Sequence, residues 1–206
     1  MGVKAVLFDI GGVVVQAELE SYVALTAGLF KSTGAQVRAH AQPLLPALET
    51  GSIDSLQFWE LLGDSLQRAG QGQAVPAWKF KGFWAGRLEE SAVINQEVMG
   101  FCKRLRARVR VAALSNVIEE HARVLVKMGV YEPFSPCLLS YQLKLRKPQP
   151  EIFARAAELL KTRLKNCLLI DDSADNVAAA QAAGMPAYQF IGNRELEDTL
   201  RSLRLF

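Results

Sequence analysis

The stretch KAVLFDIGGVVV, residues 4–15, opens as an almost unbroken apolar run and then sets a single carboxylate, Asp9, just ahead of Gly11 and Gly12. A short apolar run without period-two alternation fits a strand covered on both faces, as strands of a parallel sheet are. Similar runs recur as VRVAALS (109–115), NCLLIDD (166–172), more weakly PAYQFI (186–191), and briefly near PCLLS (136–140). Helical patterns lie between them at 95–108, 118–129, 150–161 and 174–184, with Gly129 and Gly184 where C-caps belong and Pro150 near a helix start. Strand alternating with helix predicts an α/β fold, a doubly wound, Rossmann-like parallel sheet.

Residues 16–92 break that rhythm. They read as helices at 18–31, 35–49, 54–69 and 76–87, with no strong strand among them. In ETGSIDSLQFWELLGDSL (49–66), Gly51 suits a helix stop, Ser52 or Asp54 an N-cap, and the apolar residues that follow suffice to bury a helix. The expected organisation is therefore a core of residues 1–15 and 93–206, interrupted by a small all-helical domain at 16–92.

Composition narrows the function classes. The chain has 206 residues, half of them hydrophobic, and a formal net charge of +3. Its one dense basic cluster, KRLRARVR (103–110), has apolar residues between its charges and reads as a solvated helix end and strand entry rather than a nucleic-acid patch. No apolar run is long enough to cross a membrane, and Asp9 interrupts the N-terminal apolar stretch that a signal peptide would need. Cys102, Cys137 and Cys167 follow no metal or redox spacing, so packed thiols in a reducing cytoplasm are expected. Neither nucleic acid nor membrane is expected as a partner, and the chain is expected to be a monomer or weak homodimer.

Three of the predicted strands end in polar residues: Asp9, Ser115-Asn116 and Asp171-Asp172. Ligands of an open α/β sheet bind beyond the carboxyl ends of its strands, so these residues should converge. Lys147 in RKPQPEIF arrives from a loop stiffened by Pro148 and Pro150. Taken singly, each has an ordinary reading as a turn residue, a helix cap or a surface lysine. Capping has no need of all of them in this order. Together they supply a carboxylate able to attack phosphorus, hard oxygen ligands for Mg²⁺, and a lysine and hydroxyl-plus-amide pair for phosphate oxygens.

The order and spacing resemble the haloacid dehalogenase superfamily over essentially the whole chain. VLFDIGGVV is similar to its first motif, AALSN to its second, LRKPQPEIF to its third and LLIDDSADNVAAAQAAGM to its fourth. The resemblance implies a Mg²⁺-dependent phosphomonoester hydrolase acting on a small phosphorylated metabolite, with Asp9 as nucleophile and Ser115 and Lys147 assisting. It implies phosphate bound by Ser115, Asn116, Lys147 and Gly12. Mg²⁺ would be held by Asp9, the Gly11 carbonyl, Asp171 and Asp172, with Asn176 orienting these groups. The insert would be a helical cap.

One position departs from the pattern. Family phosphatases usually carry Asp where this chain has Gly11, and that Asp protonates the leaving oxygen and later activates water. The metal-binding carbonyl survives the change; the proton donor does not, a loss of ~10²–10⁴-fold for a typical general acid or base. Glycine at this position resembles the branch of bacterial sugar-1-phosphate phosphatases, which implies substrates whose leaving group needs little protonation. Three other readings remain open. A dehalogenase would turn Asp9 on carbon without metal and gain nothing from Asp171 and Asp172. A phosphonatase would want a cap lysine, for which Lys79 and Lys81 stand in no matching motif. A non-enzyme would keep the fold to bind phosphorylated ligands or another protein. His40 is a conceivable substitute acid, and KFKGFWAGRLEES (79–91) is the first place to look for a cap residue facing phosphate.

Overall fold

The computed structural model describes residues 2–206, the side chains of residues 19–21 excepted. Strands β1 (Ala5–Phe8), β2 (Val15–Gln16), β3 (Val93–Ile94), β4 (Arg110–Ser115), β5 (Cys137–Leu139), β6 (Cys167–Asp171) and β7 (Ala187–Gln189) follow in chain order. Five of them form one parallel sheet in the order β5-β4-β1-β6-β7. The sheet grows outward from β1 in both directions, so β1 is the topological switch point, where a crevice opens at the carboxyl ends.

The helices are α1 (Leu19–Phe30), α2 (Gly34–Ala41), α3 (Leu45–Glu49), α4 (Ser55–Arg68), α5 (Phe83–Ser91), α6 (Gln96–Leu105), α7 (Glu119–Lys127), α8 (Ser140–Leu143), α9 (Pro150–Leu159), α10 (Ala174–Ala182) and α11 (Asn193–Ser202). Successive strand residues point to opposite faces, which divides the core in two. Val6, Phe8, Val111, Ala113, Leu168 and Ile170 pack with Val98, Phe101 and Leu105 of α6, Val124 and Leu125 of α7, and Leu196 and Leu200 of α11. Ala5, Leu7, Ala112, Leu114 and Leu169 pack on the other side with Ile152, Phe153, Ala156 and Ala157 of α9 and Ala180 of α10. Burial on both faces explains why these strands lack polar alternation. The fold is the α/β arrangement expected.

Helices α1 to α5 lie between β2 and β3 and carry a separate aromatic cluster. Trp59 stacks on Phe80 at 4.1 Å between ring centroids, Phe80 stacks on Phe30 at 5.3 Å, and all three are buried. Asp54 caps α4 by accepting from the Gln57 N–H while Gln57 reaches back to the Asp54 N–H.

Local details differ from the sequence reading. The expected helix 35–49 is two, α2 and α3, because Pro43 and Pro46 remove amide donors that a continuous helix needs. The segment 76–87 is a 3₁₀ turn, Ala77–Phe80, followed by α5. Where no strand was expected at the edge of the insert, β2 and β3 form a two-residue antiparallel ribbon, Val15 opposite Ile94 and Gln16 opposite Val93. Helix α11 was not anticipated. Among the described residues no helix is long and apolar enough to cross a membrane, and Cys102, Cys137 and Cys167 are free thiols.

Candidate active site

Asp9 follows β1 directly, and its N–H donates to the Ile170 carbonyl at 2.8 Å, which ties it to β6. Its Oδ1 accepts the Ile10 N–H at 2.7 Å and lies 2.9 Å from Lys147 Nζ. No hydrogen bond to Oδ2 is present among the described residues, so that oxygen is uncommitted. Lys147 is 1% exposed and also contacts Asp171 Oδ2 at 2.6 Å. The other Asp171 oxygen accepts the Ser173 N–H at 3.0 Å and the Asn176 Nδ2 at 2.9 Å. Ser173 caps α10, so the helix start and the acidic pair are built together.

Both Asp171 oxygens are thus taken by N–H donors. Asp172, by contrast, is exposed, and it is the carboxylate of the pair with room for a cation. Side-chain oxygens of Asp9, Asp171 and Asp172 lie within 4.8 Å of one another. Three carboxylates against one ammonium leave a net charge of −2 in a largely buried cluster. Burial raises the pKa of Asp9 to about 6, with Lys147 pulling it back, and raises that of Asp172, helped by the neighbouring Asp171 charge. Burial alone would lower the Lys147 pKa, but the Asp9 and Asp171 charges outweigh it and hold the ammonium protonated. An all-oxygen donor set with two uncompensated charges fits a hard divalent cation such as Mg²⁺.

The glycines complete this reading. The turn after Asp9 is held by Gly12 N–H to the Val15 carbonyl (2.9 Å) and by Val14 and Val15 N–H to the Ile10 carbonyl (2.9 and 2.8 Å). The Gly11 carbonyl accepts none of these, which leaves it for a cation. A Cβ on Gly11 would meet nothing within 4 Å. Gly12 is different: its φ is +75°, and a Cβ there would fall 2.1 Å from Asp172 Oδ2. Its amide is spent within the turn. Gly12, expected on phosphate, supplies space for Asp172 here.

Asn116 is the other half of the expected hydroxyl-plus-amide pair. Its Oδ1 accepts the Lys147 N–H and its Nδ2 donates to the Lys147 carbonyl, both at 2.8 Å. Its side chain thus clamps the backbone that carries the lysine. Ser115 is buried at the end of β4, which places it on the same edge of the crevice as Asp9 and Asp171. His40 does not join them. Its ring nitrogens are engaged by Ser65 Oγ at 2.7 Å and Gln71 Oε1 at 2.9 Å, inside the helical insert.

Sequence reasoning missed a strap between insert and core. Ser140 Oγ accepts the Val117 N–H at 2.9 Å and donates to the Glu49 carbonyl at 2.6 Å. Lys144 Nζ donates to the Gly51 carbonyl at 2.9 Å, and Arg146 Nε pairs with Glu49 Oε2 at 2.6 Å. Gly51, with φ +62°, is closely packed: a Cβ there would lie 2.9 Å from Lys144 Nζ and 3.2 Å from the Tyr141 carbonyl. The segment 140–146 leads straight into Lys147. The one sequence signal was the run of basic residues at 144, 146 and 147.

The haloacid dehalogenase-like hydrolase family model matches residues 3–184. The chain belongs to the haloacid dehalogenase-like hydrolases. This hydrolase is 24% identical over 196 residues to a D-ribitol-5-phosphate phosphatase of Bacteroides thetaiotaomicron, covering 91% of each chain. It is similar to the crystal structure of a family enzyme from that organism in complex with magnesium and inorganic phosphate, at TM-score 0.71 and 25% identity over 91% of this chain and 94% of the other. A family hydrolase from Porphyromonas gingivalis shares its fold at TM-score 0.76 and 21% identity, over 99% of both chains.

Proposed function

We propose that this hydrolase cleaves small phosphomonoesters through a phospho-aspartyl intermediate on Asp9. The observation that carries the reading is the buried contact of Lys147 with both Asp9 and Asp171, beside an exposed Asp172 and a bare Gly11 carbonyl. Asp9, the Gly11 carbonyl and Asp172 would hold Mg²⁺, with Asp171 anchored behind them. When bound, the ion supplies charge neutralisation between the attacking carboxylate and the phosphoryl group.

The chain's own groups do the rest. Asp9 Oδ2 attacks phosphorus as the ester P–O bond breaks, and the alcohol oxygen departs with the bonding pair. The Lys147 ammonium sits where the transferred phosphoryl oxygens gain charge, and Ser115 flanks them. Asn116 keeps the lysine in place. Water then attacks the acyl phosphate, phosphate leaves and the Asp9 carboxylate returns. Gly11 offers no proton to the departing oxygen in the first step and no base in the second.

The D-ribitol-5-phosphate phosphatase relative supports a sugar or polyol phosphate as substrate. Gly11 narrows that class to esters whose oxygen leaves with little protonation, such as a sugar 1-phosphate, whose anomeric oxygen is a better leaving group than a primary alkoxide. The test is a panel of sugar 1-phosphates, polyol phosphates and p-nitrophenyl phosphate, with and without Mg²⁺ and with Asp9→Asn as the blank. Mg²⁺-dependent phosphate release, lost in Asp9→Asn and fastest on aryl and anomeric esters, is expected. Rapid acid quench followed by intact-mass measurement should find a phosphorylated chain. Release that survives Asp9→Asn, or halide release from a 2-haloacid without metal, would overturn the proposal.

A further inference from the structure

The pole of the sheet opposite Asp9 holds a second feature that the hydrolytic site does not use. A cleft of about 960 Å³ opens where β1, β4, β5 and β6 begin. Six cationic side chains line it: Lys4, Arg106, Arg108, Arg110, Lys161 and Arg163, with no Asp or Glu among the lining residues. They come from three separate stretches of chain that hydrogen bonds knit together. The Lys4 N–H donates to the Asn166 carbonyl at 2.8 Å, and the Arg110 N–H donates to the Lys4 carbonyl at 3.1 Å. The backbone that presents the charges is therefore fixed before any ligand arrives.

Among the described residues, none of these six cations has a carboxylate within ion-pair distance. Several arginines elsewhere on the surface are partnered: Arg104 and Arg201 with Glu197, Arg123 with Glu119, Arg155 with Glu158, Arg146 with Glu49. In the cleft, Arg106 and Arg108 make only long contacts of 3.4 and 3.5 Å to the carbonyls of Glu132 and Arg204, while the Arg110 guanidinium donates to the Leu160 carbonyl. Gathering like charges without counter-charges costs stability through repulsion, and a bound anion relieves it. The 103–110 basic cluster does end a helix and enter a strand, but the fold adds Lys4, Lys161 and Arg163 to it. That grouping is invisible in the linear chain.

We propose that this cleft binds a compact polyanion carrying several phosphoryl groups. Its volume is that of a small-molecule site. No aromatic side chain lines it, so it offers no stacking platform for the bases of a single strand. The lining is concave, and no Trp, Phe or Leu is presented for insertion into a lipid interface.

The probe is inorganic tripolyphosphate, titrated calorimetrically into the full chain in metal-free buffer of low ionic strength. Without metal the hydrolytic site carries net negative charge and repels the probe, so the heat reports the cleft. Saturable binding at one site per chain is expected, weakening as salt is added. The double variant Lys4→Glu/Arg163→Glu changes two side chains that make no hydrogen bond among the described residues. It should bind roughly tenfold or more weakly while its Mg²⁺-dependent turnover of p-nitrophenyl phosphate stays unchanged. Lys4→Gln/Arg163→Gln gives the same direction should charge reversal impair folding. Wild type and variant binding tripolyphosphate equally would overturn the proposal. So would tighter, equally Lys4- and Arg163-dependent binding of a single-stranded oligonucleotide, which would assign the cleft to nucleic acid.

Discussion

Two adjacent glycines do opposite work. Gly11 sits in open space, so an aspartate there meets no steric obstacle. Gly11→Asp should restore a proton donor and raise kcat/KM on a primary alkyl phosphate by up to ~10²-fold, with a smaller gain on p-nitrophenyl phosphate. Equal gains on the two esters would show that leaving-group protonation is not what the residue limits. Gly12 is closed to any side chain because the Asp172 carboxylate lies against its Cα. Gly12→Ala should therefore displace Asp172 and weaken Mg²⁺ binding, read by calorimetry, with little change in secondary structure by circular dichroism. Lys147 is the third such position. Lys147→Met leaves Asp9 and Asp171 buried without their counter-ion, and urea denaturation should register a loss of about 3–5 kcal/mol along with lost turnover. The glycine pair and the lysine were both visible in the sequence. That Gly12 makes room for a carboxylate some 160 positions away, and that the Asn116 side chain holds the lysine backbone, depends on contacts between strand ends that no local pattern records.

Among the elements, those with long apolar runs or strong periodicity were legible, and short ones were not. Strands β1, β4 and β6 announced themselves because burial on both faces demands an unbroken apolar run. The ribbon of β2 and β3 has two residues in each strand, too few for any period, and exists because the chain leaves and re-enters the core at neighbouring points. The strap between Glu49 and Ser140 belongs to the same class. Ser140 is fully buried and serves both the Val117 amide and the Glu49 carbonyl. Ser140→Ala orphans both, at a cost of about 1–3 kcal/mol. Faster amide exchange across residues 49–52, with α9 and α10 unaffected, is the expected signature, and uniform exchange would place the loss elsewhere.

For the molecule as a whole, the contact between insert and core carries a pH dependence. His121 of α7 packs edge-on to Tyr22 and Trp84 of the insert, at 6.3 and 5.7 Å between ring centroids. Burial pushes its pKa down to about 4, partly offset by a hydrogen bond to the Trp84 main chain. Between pH 6.5 and 4 the unfolded chain binds a proton that the folded chain refuses, so stability present above pH 6.5 is lost as pH falls through that window. His121→Phe should lose less stability than wild type between pH 7 and 4.5 in urea denaturation, by on the order of 1–3 kcal/mol. Identical pH slopes would mean the histidine is hydrated in the native state.

The sequence by itself determined the alternation of buried strand and helix and the polar residues that end three of the strands. Hydrophobic periodicity and strand-end polarity are local consequences of burial, and the order of motifs carried the family. Only the tertiary structure decided which of those residues touch. It gave Asp171 to Lys147 and left Asp172 open, clamped the Lys147 backbone with Asn116, took His40 out of the site and gathered six cations at the far pole. Each of these outcomes is a distance between groups remote in the chain. Such distances follow from how the strands pack side by side, so they are settled only once the whole core has formed.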